Sequence, residues 1–158
     1  MREFFFVLAI IFGIEGSWTE IDGGTKYGIT AATLSRANRL QIVQTLDISN
    51  LTKRDATIIY YRMFWIPSGA YKFPYPLNLV IFDGAVHLGP SRAKSILRAA
   101  VRDSSSLQVR VIACRYVYER YRRLTTLKNY SKNRNGWRRR LQIIYNYVND
   151  TKPRKFCF

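Results

Sequence analysis

Glu15 closes an apolar stretch, and Asp22 follows seven residues later, directly ahead of Gly23, Gly24 and Thr25. Glu20 adds a third carboxyl between them. Acids are scarce in this chain, 10 against 26 Lys and Arg, so three in one short segment call for a chemical reason. A carboxyl group set against apolar surface keeps its proton near neutral pH, because burial penalises the charged form. Glycines let the backbone and a small hydroxyl come close to a bulky group. An acid that protonates a leaving oxygen, with an anionic or water-orienting group across the bond, is the equipment that glycosidic cleavage uses. On this reading Glu15 is the acid, and Asp22 with Thr25 serves the water or the developing positive charge.

The elements that must position these groups are legible nearby. Residues 3–15 predict a fully buried helix that ends at Gly16 and Ser17. Residues 16–30 predict turns and a short β-hairpin. Thr30 is placed to cap a helix through "AATLSRANRL", and Thr52 with Asp55 forms a capping-box pair ahead of "ATIIYYRMFW". Pro67, Gly69, Pro74 and Pro76 mark a loop, after which helices resume at "PLNLVIFDGAVHLG" and "SRAKSILRAAV". Two basic helices follow the break at "DSSS". The first carries a stripe of Leu107, Val111, Cys114, Tyr118 and Tyr121, and the second one of Trp137, Leu141, Ile144 and Val148. Most of the arginines fall off both stripes, as on a solvated face. The expectation is a mainly α (α+β) single domain over residues 1–150, a helical bundle with one small glycine-rich hairpin after the first helix, and a basic tail at 151–158.

Composition narrows the function classes. Residues 1–83 carry 8 basic and 7 acidic side chains, whereas residues 84–158 carry 18 and 3. That second half attracts polyanions: nucleic acid, anionic lipid or acidic envelope polymers. Two cysteines outside any CxxC pair and a single histidine argue against a structural zinc site. Cys114 reads as a small core residue; Cys157 sits in the tail, which leaves a disulfide open. The run "MREFFFVLAIIFGI" is too short to span a bilayer. It reads as the first helix, with an export or anchor signal as the second reading.

At this point the motifs resemble a known family. "EGSWTEIDGGTKYGIT" is similar to the signature of the family 108 glycoside hydrolases, muramidases of the lysozyme superfamily that include phage endolysins and secretion activators. Glu15, Gly16, Trp18, Asp22, Gly23, Gly24, Thr25, Gly28, Ile29 and Thr30 carry the match. Further along, Tyr60 or Tyr61 with Trp65, then Asp83, Val86 and Gly89, then "NGWRRRL", resemble later motifs, so the likeness spans residues 3–148. Three departures stand out. Ser17 replaces a glycine, His87 replaces an asparagine, and the segment from Glu15 to the glycine pair is short.

The resemblance implies a lysozyme-like fold and cleavage of the β-1,4 bond between N-acetylmuramic acid and N-acetylglucosamine, with no cofactor and no metal. Glu15 would be the general acid, with Asp22 as second carboxylate and Glu20 as its alternate. Thr25 and Thr30 either hold the attacking water or brace the hairpin. Trp18, Tyr27, Trp65 and Tyr71 are candidates to stack on sugars, although Tyr27 and Trp65 suit the core equally. His87 reads as a groove-wall or packing residue, and Asp83 as a structural acid bonded to a helix N-terminus. The expected partners are peptidoglycan strands and, through the basic half, anionic envelope polymers. The action expected is in the periplasm or wall after holin-type or other release, for phage lysis or for secretion. The competing class is a catalytically impaired basic protein that binds peptidoglycan or nucleic acid.

Overall fold

The computed structural model describes residues 1–15 and 24–149, which divide into two compact units at Pro67 and Ser68. Trp18, Glu20 and Asp22 lie outside the described residues.

The first unit begins with α1 (Arg2–Glu15). It buries Phe4, Val7, Leu8, Ile11 and Phe12, but Phe5 and Phe6 remain 51% and 56% exposed. The expected fully buried helix is therefore one-sided: ten apolar side chains in fourteen residues exceed what one small unit can cover, and the outward ones stay in solvent. The two-residue strands β1 (Thr25–Lys26) and β2 (Ile29–Thr30) pair antiparallel, Thr25 opposite Thr30 and Lys26 opposite Ile29. Their loop is Tyr27 and Gly28, at φ 53° and 71°. Positive φ at both loop residues is the twist a two-residue hairpin requires. Thr30 then caps α2 (Ala31–Arg39) by accepting the Thr33 N–H at 3.2 Å. The Thr52–Asp55 capping box is formed at the start of α3 (Lys53–Ile59). Such a cap contributes about 1 kcal/mol.

After α3 the chain passes into a π-helical segment, Tyr60–Trp65. This widened turn brings Tyr60, Tyr61 and Trp65 toward α1. Phe4 meets Tyr61 edge-on at 5.0 Å and Trp65 at 5.6 Å, while Phe12 meets Tyr60 edge-on at 5.3 Å.

The second unit is helical: α4 (Leu77–Leu88), α5 (Pro90–Arg102), α6 (Val109–Thr125) and α7 (Tyr130–Asn149). Gly89 at φ 88° turns the chain between α4 and α5, and Pro90 takes the tolerated first-turn position. Helix α4 is apolar along most of its length and is buried from Leu77 to Ala85. Helix α7 buries Leu141, Ile144 and Val148, as its spacing predicts.

Helix α6 departs from the expectation. Its buried face is Ile112, Ala113, Tyr116, Val117, Arg120 and Leu124, while Leu107 and Tyr118 are 78% and 42% exposed. The periodicity is right and the phase is wrong. What rotates the helix is Arg120, which turns inward to meet a buried acid on α4. Close approach helps: a Cβ on Gly84 would fall on the Tyr116 hydroxyl, so α4 and α6 meet where α4 has no side chain.

Candidate active site

Glu15 is the last residue of α1, whose last turn has no basic side chain. One turn earlier on the same helix, Phe12 packs on Tyr60. Tyr60 is fully buried, and its hydroxyl donates to the Tyr27 carbonyl at 3.2 Å. One residue thus braces both the helix that ends in Glu15 and the hairpin that carries Thr25. Lys26 adds a second tie by donating to the Ser49 carbonyl. A π-helical turn at this junction fits a known habit, since such turns collect at functional sites.

Within the first unit, then, the backbone brings Thr25, Tyr27 and Thr30 together on one hairpin. Tyr27 is half-buried, with Lys26 Nζ 5.7 Å from its ring centre. It holds a left-handed conformation that costs a non-glycine residue about 1 kcal/mol or more. The Thr30 hydroxyl is engaged as a cap and lies 3.0 Å from that of Thr33, which accounts for it as a brace. Trp65 is 3% exposed beside Phe4, so its part here is packing rather than an open face for a sugar. Tyr60 is the residue that sequence reasoning left without a role. Its place among the family-like motifs was visible, but a buried hydroxyl reaching 33 positions back was not.

Tyr71 and His87 belong to the second unit. Tyr71 is 50% exposed, with Lys72 Nζ 5.7 Å from its ring centre. His87 sits at the end of α4 beside a buried ionic cluster. Asp83, with no exposed surface, is paired with Arg120 of α6 and with Arg140 of α7, the latter through Nη2 at 2.7 Å and Nε at 2.9 Å. These arginines, and not a helix N-terminus, are its partners, because a fully buried carboxylate needs full charges rather than partial ones. Burial alone would raise the Asp83 pKa; the two guanidinium charges outweigh it and hold it at about 2.

Arg120 Nη2 lies 2.8 Å from His87 Nδ1. Arginine can only donate, so Nδ1 accepts and the ring proton is on Nε2. Burial first, and then the charges of Arg120 and Arg140, lower the His87 pKa to about 3 against the opposing pull of Asp83. Its ring meets Trp137 edge-on at 5.4 Å. His87 is a neutral, positioned ring. Among the described residues no cluster of three or more His, Cys, Asp and Glu could hold a metal ion, and no helix is long and apolar enough to cross a membrane.

Comparison with known proteins decides the family. The family model described as glycosyl hydrolase 108 matches residues 8–89. The chain belongs to glycosyl hydrolase family 108. Its fold is similar to the solved structure of SagA from Brucella abortus, with a TM-score of 0.76 and 27% identity over 94% of this chain and 95% of that one. Comparison with curated protein sequences finds no match. The family 108 match spans the second half of α1, the hairpin, the π-helical segment and α4, the elements that carry Glu15, Thr25, Tyr60 and Asp83. The mainly α, lysozyme-like fold with one small hairpin is as the sequence predicts. Family and fold together support a peptidoglycan hydrolase of the lysozyme-like kind.

Proposed function

We propose that this family 108 protein is an N-acetylmuramidase. It hydrolyses the β-1,4 bond between N-acetylmuramic acid and N-acetylglucosamine in peptidoglycan. Glu15 protonates the leaving oxygen. Asp22, with Glu20 as the alternate, and Thr25 orient the water or stabilise the cationic ring that forms as the bond breaks. Tyr27, Tyr71, Trp18 and the neutral His87 contact the sugars. No cofactor enters the scheme.

The observation that carries this reading is the shared brace at Tyr60. It fixes the end of the apolar helix α1 against a hairpin that offers a small hydroxyl. In this account the protein acts at the wall, in the periplasm or beyond, in lysis or in opening the wall for secretion.

Product analysis tests the bond. Digested wall fragments are reduced with borohydride and their new ends identified. The proposal expects reduced muramic acid ends. Reduced glucosamine ends would assign the cut to the other glycosidic bond and overturn it.

A further inference from the structure

Helices α5 and α6 leave a groove of about 410 Å³ between them in the second unit. Arg92, Ser95, Ile96 and Ala99 line it from α5 at one-turn intervals, and Glu119, Arg122 and Arg123 line it from α6. Its floor is apolar, with Ile96 buried and Ala99 half-buried, and its rim is cationic.

Glu119 is already engaged by Arg115 at 2.9 Å and Arg122 at 3.2 Å. Arg92, whose Nη1 also donates to the Leu88 carbonyl at 3.4 Å, and Arg123 are the exposed cations of the lining that are not paired with Glu119. Two hydroxyls complete the rim. Thr125 Oγ1 donates to the Arg122 carbonyl and Thr126 Oγ1 to the Arg123 carbonyl, so each oxygen is oriented to accept from a ligand N–H.

Between residues 68 and 149 there are 16 basic and 3 acidic side chains, so an anion is drawn to this unit. The groove's lining selects which anion. No aromatic side chain lines it among the described residues, which disfavours nucleic acid, whose bases need stacking partners. An apolar floor also gives nothing to a bare phosphate polymer. A short peptide with small methyl side chains, amide N–H groups and free carboxylates uses all three features: floor, hydroxyls and guanidiniums.

We propose that this groove binds the carboxylate-bearing peptide stems of peptidoglycan and holds the strand while the glycan is cut. This rests on the peptidoglycan reading above and extends it to a second contact with the same polymer.

The test is binding, read without turnover. Full-length protein carrying Glu15→Gln is titrated, with fluorescence anisotropy as the readout, against labelled soluble wall fragments, either intact or stripped of their peptides by an amidase. The expected result is roughly tenfold tighter binding to intact wall, a preference that weakens as salt rises because exposed pairs are screened. Adding Arg92→Gln and Arg123→Gln should remove most of that preference while the far-UV spectrum is unchanged. Equal binding to intact and stripped wall, or a preference that survives the double substitution, would overturn the proposal. Tighter binding to duplex DNA than to wall at equal salt would also overturn it, in favour of a general polyanion surface. A preference for intact wall in a protein whose wild type cuts no glycan would uphold the groove and sink the hydrolase reading, so the two failures are separable.

Discussion

Asp83 keeps its charge in a fully buried position only because Arg120 and Arg140 bracket it. Removing one side of such a cluster leaves the other uncompensated. Asp83→Asn is expected to cost about 3–5 kcal/mol in chemical denaturation; a loss under about 1 kcal/mol would show that the cluster is not needed for stability. With its pKa lowered to about 2, the acid contributes fully above its ordinary 3.8 and loses that contribution as pH falls through 2. His87 works in a higher window. Its native ring stays neutral down to about 3, while the unfolded ring takes a proton near 6.5. Between those values the unfolded chain binds more protons, so stability falls as pH falls. The drop in Tm from pH 7 to pH 4.5 should therefore be smaller in His87→Gln than in wild type, and equal drops would contradict the assignment. At this scale the sequence marked Asp83 as a structural acid and left its partners hidden. They lie 37 and 57 positions away among arginines that read as a solvated face.

Helix α6 shows what pattern reading can and cannot see in an element. Its spacing of 4 and 3 was legible, but the face turned inward depends on a charged partner on another helix, which periodicity ignores. Caps fared better, since Thr30 and Thr52 act within three residues of themselves. The hairpin was legible from its glycines, whereas the π-helical turn was not, because no glycine, proline or cap marks it in the sequence. The contact of α4 with α6 gives a direct prediction. Gly84→Ala places a methyl on the Tyr116 hydroxyl and should cost about 1–3 kcal/mol in thermal or urea unfolding. Tyr116 is fully buried, so the added methyl has no solvent to escape into. Adding Tyr116→Phe should recover part of the loss; a strictly additive double variant would place the strain elsewhere.

Across the molecule, chemistry and charge divide along the chain. The family match ends at residue 89, and 18 of the 26 basic side chains come after residue 83. The first part carries the acid and hairpin of the proposed reaction, the second the cationic groove proposed to hold its substrate. The family was legible early because its motifs are local and ordered along the chain. The geometry joining Glu15 to Asp22 was not, since the short segment between them is where this chain departs from the family pattern. Lysis of purified cell wall, followed as falling turbidity for wild type and Glu15→Gln, tests the central claim most directly. The account predicts clearing by wild type and a loss of roughly a hundredfold or more in the variant. Wild type that does not clear the wall, or a variant that clears it equally fast, would contradict the account.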